Sequence, residues 1–218
     1  MKFGSLGSDE IQYILGGLSV SLKFTLISVI GGVFMGTLLT FFRFSRSRLL
    51  EFLSAAYVSV FRGVPLIVQL CLIYFGTTLM FGWRLSTFTA GILVFSLNSG
   101  AYVAEIFRAG IQSVPKGQYE AAKSLGIPYW YLMKDIILPQ AIRNILPSLN
   151  NEFINLFKES AIVSVIGEAD LMRRSQMVAA HKFTYFEPFI VAGLCYYIIV
   201  LIFSFLGQML EKKFRSRT

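Results

Sequence analysis

The sequence predicts an all-α protein that crosses a membrane several times, and three observations predict it. Of the 218 residues, 55% are apolar and only 15% are charged. Several windows of about 20 residues are almost free of charge, the length a helix needs to cross about 30 Å of hydrocarbon. The alternating pattern of a membrane barrel is absent, and hydrocarbon offers no partner to unpaired backbone groups, which leaves helices as the spanning element.

The first span is expected over residues 18–42, with Lys23 near its outer end and able to snorkel. It runs into Arg43, Arg46 and Arg48, and the positive-inside rule therefore sets the N-terminus outside the cytoplasm. A second apolar region, residues 52–81, is long for one crossing. Arg62-Gly63-Val64-Pro65 interrupts it, and Pro lacks the amide donor a helix needs there. We read it as one span with an irregular point, ending outside near Trp83 and Arg84. The third span, residues 85–107, returns inward. Residues 111–138 are less apolar and helix-forming, and belong outside the bilayer.

Residues 139–167 are the hard case, carrying Arg143, Asn144, Asn150, Asn151, Glu152, Asn155, Lys158 and Glu159. By hydropathy alone they read as a cytoplasmic amphipathic helix. Without a crossing here, the last span (residues 189–210) would leave Lys212, Lys213, Arg215 and Arg217 outside, against the positive-inside bias. The expectation is thus five spans in a single membrane domain over 1–218, N-terminus out and C-terminus in. Residues 112–138 form a cytoplasmic loop, and 168–187 an external one that is partly helical.

The net charge of +8 does not indicate nucleic acid. The basic residues, including Arg108, Lys116, Lys123 and Lys134, flank apolar spans as orientation signals do. Cys71 and Cys195 lie inside spans without metal-ligand spacing and read as small buried hydrophobes. His181 is the only histidine, which leaves little for a metal cluster or a serine–histidine triad. The N-terminus has no basic region ahead of a short apolar core, so no cleaved signal peptide is expected.

The cytoplasmic loop carries Glu120-Ala121-Ala122, then Gly126, then Ile136-x-Leu138-Pro139. Two alanines after a carboxylate make a thin helical surface that another protein can approach closely. Gly126, with Pro128 just after, ends that helix and turns the chain. A second helix from about Tyr129 leads back to the membrane at Pro139. This spacing resembles the signature loop of permease subunits of bacterial ATP-binding cassette importers, and all seven positions match. Further segments narrow the resemblance to the polar amino-acid subfamily: Arg62 to Leu70, Ala101 to Arg108, Gly110 to Pro115, and Lys158-Glu159-Ser160-Ala161-Ile162-Val163. Val64, Glu159 and Ala161 depart from that subfamily's usual Thr, Asp and Ser.

The resemblance implies the permease architecture of type I importers, in the bacterial cytoplasmic membrane. It also implies that the elbow docks on separate ATPase subunits, which bind ATP and Mg, with no cofactor in this chain. A second permease copy or homologue, an extracytoplasmic solute-binding protein and an amino-acid substrate complete the set, within membrane lipid. Independently, the chain lacks a G-x-x-x-x-G-K-[ST] phosphate loop, so its energy must come from a partner.

Ionisable groups within spans are costly and mark candidate sites. Glu152 and Glu159 are seven residues apart and share a helix face, about 10 Å apart along the axis. Asn98 lies mid-way along the third span, and Arg62 at the break in the second. Together they offer carboxylates for a cationic side chain and a guanidinium for an α-carboxylate. The expectation is an amino-acid site leaning to arginine, lysine or histidine, with glutamine, glutamate or another polar amino acid as the alternative. A competing reading pairs Glu159 with Lys158 or Arg62 and uses the asparagines to hold helices together. Glu105 and Arg108, three apart, read as a helix-surface ion pair. Arg173, Arg174 and Lys182 read as solvated external charges or binding-protein contacts. An intramembrane enzyme needs a paired acid and base or a nucleophile, for which only Glu152 and Glu159 qualify. A carrier predicts flux without ATP and often a two-fold repeat, and no repeat is visible.

Overall fold

The computed structural model describes residues 6–215, with side chains described as far as Lys213; Arg217 of the basic tail lies outside the described residues. The chain runs α1 (Ser8–Arg43), α2 (Arg48–Gly63), α3 (Leu66–Phe81), α4 (Thr87–Gln112), α5 (Lys116–Ser124) and α6 (Tyr129–Tyr131). A π-helical stretch (Leu132–Ile137) leads into α7 (Leu138–Glu159), and a 3₁₀ stretch (Ser160–Ile166) follows it. α8 (Leu171–Lys182) and α9 (Phe186–Arg215) complete the chain. The described residues are all helical or connecting, as the apolar windows require.

α1, α4 and α9 are each long and apolar enough to cross a membrane. α2 and α3 meet the same test only as a pair, and the pair is bent by 102°. The irregular point expected at Arg62–Pro65 is therefore a sharp corner. α7 does not meet the test, because its asparagines, Arg143, Glu152, Lys158 and Glu159 lower its hydropathy.

Close packing sets the direction of each helix. A Cβ on Gly32 would lie 2.7 Å from the Ser99 Cβ, and one on Gly36 2.6 Å from the Val103 Cβ. Residue numbers rise together along this seam, so α1 and α4 run parallel. The α2–α3 corner must then carry the chain back between them. α7 runs against α4, since Gly91 lies beside Val163 while Gly110 meets Ile145. α9 runs against α7: Phe153 lies 4.4 Å from Phe203, and Phe157 5.3 Å from Tyr196, between ring centroids. The passes alternate in direction from one end of the chain to the other.

The main core joins α1, α3, α4, α7 and the 3₁₀ stretch through Phe24, Leu70, Val94, Phe95, Leu156 and Val163. Phe24 meets Phe95 edge-on at 4.8 Å, the geometry favoured by the aromatic quadrupole. A second core sits under the loop, where Val114, Ala122, Leu132, Ile137, Ala141 and Ile145 cluster. That core ties the elbow to α4 and α7. At the opposite end, Ile14, Leu171, Val178 and Ala192 hold α8 between α1 and α9.

Candidate functional site

The site begins with the corner. Pro65 has no N–H and biases Val64 to extended backbone; Val64 has φ −103° and ψ 132°. Carbonyls near the end of α2 lose their helical donors. Buried without a partner, each would cost about 1–3 kcal/mol. Gln69 Nε2 supplies the donor, reaching Phe61 O at 2.9 Å and Val64 O at 2.7 Å. Asn98 Nδ2 on α4 donates to Phe61 O at 3.0 Å and to Gln69 Oε1 at 3.3 Å. Both amides are buried. Tyr57, stacked on Phe61 at 4.3 Å, ties the same face of α2 to α4, its hydroxyl donating to Leu97 O at 2.9 Å.

This corner opens on a cleft of about 310 Å³, lined by the backbone from Gly63 to Leu66 and by Arg62, Asn98, Tyr102 and Glu159. Three of the four sequence candidates thus meet in one place. Glu159 is the last residue of α7, where the helix tightens into its 3₁₀ continuation. It is exposed to the cleft and forms no hydrogen bond or ion pair among the described residues, with Lys158 and Arg62 included. Arg62 lies 5.2 Å from the Tyr102 ring centroid and 3.6 Å from Glu105 Oε2. The Glu105–Arg108 pair is present and two-pronged, at 3.0 and 2.7 Å. Glu152, the fourth candidate, does not line the cleft; it accepts a 2.8 Å hydrogen bond from the buried Ser99 on α4.

The arrangement can do one thing directly. It presents a guanidinium and a carboxylate that is not ion-paired in the lining of one small polar cavity, complementary to a molecule carrying both charges. Sequence reasoning overlooked Gln69 and Tyr102. Each had a signal: Gln69 is the one amide in an otherwise apolar helix, and Tyr102 follows Asn98 by four residues on the same face.

The elbow has the shape its spacing suggests. Glu120 and Ala121 are exposed, while Ala122 turns inward and is 2% exposed. Gly126 has φ +69°; its N–H bonds Lys123 O at 3.1 Å and that of Ile127 bonds Ala122 O at 3.0 Å. This is a Schellman turn, whose left-handed residue glycine adopts without penalty. Ile136 sits in the π stretch, and Gln140 Nε2 bonds its carbonyl at 2.8 Å. Leu138 and Pro139 open α7 at the surface. Leu125, Tyr129 and Trp130 form an exposed apolar ridge beside the turn.

At the far end, Arg174 and Lys182 are not free charges. Arg174 Nη1 donates to Tyr13 O at 3.1 Å, and Lys182 pairs with Glu10 at 2.7 Å. Asp170 caps α8 through the Met172 and Arg173 amides, and burial pushes its carboxyl up to about 6. Among the described residues, no three His, Cys, Asp or Glu side chains gather into a metal-ligand set.

Comparison with known proteins bears on the family and the fold. The model of the family described as binding-protein-dependent transport system inner membrane component matches residues 28–216. A Rickettsia bellii protein, named provisionally as a glutamine transport system permease, is 51% identical over 94% of each chain. The arginine transport system permease protein of Bacillus subtilis is 47% identical over 95% of this chain and 94% of its own. A solved structure of an amino acid ABC transporter with histidines has a TM-score of 0.89 at 46% identity, covering 93% of this chain and 94% of that one. The inward-facing MetNI methionine ABC transporter shares the fold, with a TM-score of 0.77 at 19% identity over 96% of this chain and 99% of that one.

Proposed function

This chain belongs to the family of inner membrane components of binding-protein-dependent transport systems and is a permease subunit of an amino acid ABC importer; we propose that it passes a polar amino acid, leaning to arginine, lysine or histidine, through the cleft at the α2–α3 corner. One observation carries the reading: Arg62 and the unpaired Glu159 line the same cavity. Arg62 receives the α-carboxylate, for which its planar fork is suited. Glu159 receives the α-ammonium or a cationic side chain. Asn98 acts with Gln69 to hold the corner open, and Glu152 adds a second carboxyl about two turns earlier on α7. Glutamine is the second reading, favoured by the name of the Rickettsia relative.

Five crossings are supported by the alternating directions of α1, the α2–α3 pair, α4, α7 and α9, and an N-terminus out and C-terminus in by the basic residues that follow α1 and end α9. α7 crosses despite its polarity, with Glu152 bonded to Ser99 of α4, Asn144 to Ser113 and Glu159 in the cleft rather than against lipid. The loop 112–138 then faces the cytoplasm and the segment 168–187 faces outward. A solute-binding protein delivers the amino acid, and two permease subunits frame the pathway. ATPase subunits that bind ATP and Mg dock on the elbow formed by Glu120, Ala121, Ala122, Gly126, Ile136, Leu138 and Pro139. Their closure rocks α4 and α7 through the shared core beneath the elbow, exposing the cleft to each side in turn. This chain acts without a cofactor or a catalytic step of its own.

The test is binding and ATP-driven uptake of arginine, lysine, histidine and glutamine by the complex reconstituted in proteoliposomes. Loss of the Glu159 charge in Glu159→Gln removes one charge-assisted contact, so arginine binding weakens by about tenfold or more and glutamine binding by less. Asn98→Ala lowers affinity for all four. Unchanged affinity and selectivity in both variants would sink the assignment.

A further inference from the structure

Arg62 stands where three clefts meet. Besides the substrate cleft, it lines a second cleft of about 470 Å³ between α4 and α7, with Tyr102, Glu105, Ser113, Asn144 and Ser148. Ser113 lies just before α5, so this second cleft extends toward the elbow. Arg62 also lines a third, of about 280 Å³, with Arg43, Ser54, Glu105 and Arg108. Tyr102 is shared by the first two clefts and Glu105 by the last two. Arg62 therefore shares one cleft with Glu159 and the other two with Glu105, with the Tyr102 ring 5.2 Å from its guanidinium carbon.

The hold of Glu105 on Arg62 is weak by construction. The Glu105 carboxylate already takes both prongs of Arg108, at 3.0 and 2.7 Å. Arg108 in turn is steadied by Gln112 Oε1 at 2.7 Å. Arg62 reaches the same Oε2 only at 3.6 Å, beyond hydrogen-bond range, with 44% of its side chain exposed. A guanidinium held by a single distant oxygen and a ring face can turn without breaking a strong bond.

We infer that Glu105 is a positioning residue for transport: it competes with the substrate's α-carboxylate for Arg62, and this exchange releases the amino acid toward the elbow-side cleft. The inference rests on Arg62 being the carboxylate ligand of the proposed site. With substrate in the cleft, Arg62 turns to it and leaves Glu105 to Arg108. When the elbow moves α4 and α7, Arg62 swings back to Glu105 along the face of Tyr102. The substrate carboxylate loses its partner as the way to the second cleft clears. Arg108 tunes the exchange by occupying part of the Glu105 charge.

The test uses the complete transporter, with L-arginine and L-glutamine as probes beside their methyl esters, which keep the side chain and lose the carboxylate. Glu105→Gln removes the competing charge while keeping the shape. Equilibrium binding of the free amino acid should tighten by about two- to fivefold, the worth of a part-exposed ion pair, while maximal uptake falls and ester binding is unchanged. Arg108→Gln frees Glu105 for Arg62 and should weaken acid binding without affecting the ester. A merely structural ion pair predicts loss in both variants, for acid and ester alike, and that result overturns the inference. Unchanged acid binding in Glu105→Gln also overturns it. Arg62→Gln separates the two levels. If it weakens the acid relative to the ester while Glu105→Gln does nothing, the site stands and the exchange falls; if it treats acid and ester alike, the carboxylate assignment itself falls.

Discussion

Replacing Gly126 isolates the backbone of the elbow from everything else. Its φ is +69°, and a Cβ added there meets nothing within 4 Å. No clash therefore contributes, and the cost of a side chain is the left-handed conformation alone, roughly 1–2 kcal/mol. Valine, branched at Cβ, sits at the upper end of that range, whereas asparagine tolerates the region and costs least. At 1.4 kcal/mol per factor of ten, Gly126→Val disfavours the Schellman turn by about 5–30-fold. If docking selects the turned elbow, apparent affinity for the ATPase subunits falls by up to that factor, since only the competent fraction binds. The assay is titration of the purified permease with its ATPase, paired with ATP-driven uptake in proteoliposomes. Gly126→Asn should stay close to the native protein, and Gly126→Val should lose coupling while remaining folded in detergent. Glu120→Lys, which reverses an exposed charge, should weaken docking without changing the turn. Equal behaviour of the valine and asparagine variants, whether both native-like or both impaired, would refute the backbone argument.

Other perturbations address the corner, the helix seam and the outer cap. Gln69→Leu leaves the Val64 carbonyl without its side-chain donor and should cost about 1–3 kcal/mol, read as a lower melting temperature in detergent together with weaker substrate binding. Gly36→Val places a side chain against Val103, whose Cβ lies 2.6 Å from the ideal Cβ position; overpacking of about 1–3 kcal/mol follows, and thermal stability should fall even in protein that still inserts. Asp170 has a carboxyl raised from 3.8 to about 6, so the folded state holds its proton more tightly than the unfolded one. Its contribution to stability is complete below about pH 4 and is lost as pH rises through about 6. Asp170→Asn keeps a capping oxygen and should flatten that part of the melting-temperature profile; an unchanged slope would contradict the assignment.

The helices and the elbow were legible because their causes are local. Charge-free windows located α1, α4 and α9, and Gly126 and Pro128 marked the turn between α5 and α6. The bounds came out short: α1 begins at Ser8 and α9 ends at Arg215, since a helix need not stop where hydrocarbon does. The π stretch ahead of α7 left no local signature, and the break at Pro65 read only as irregular. Its 102° bend depends on amides from α3 and α4, which pair with the freed carbonyls only once those helices pack.

The candidate site divides along the same line. That Arg62, Asn98, Glu152 and Glu159 are costly in apolar surroundings follows from residue type alone. Which of them meet does not, because the antiparallel packing of α4 on α7 and the corner between α2 and α3 decide it. Tertiary structure sends Glu152 to Ser99 and turns Asn98 to the Phe61 carbonyl, leaving Glu159 without an ion pair in the cleft that Arg62 also lines. The sequence by itself determined a helical membrane chain with a turned elbow at Gly126, because hydropathy and turn chemistry act over a few residues. Only the tertiary structure decided which charges share a cavity, because burial and hydrogen-bond partners exist only once distant helices are brought together.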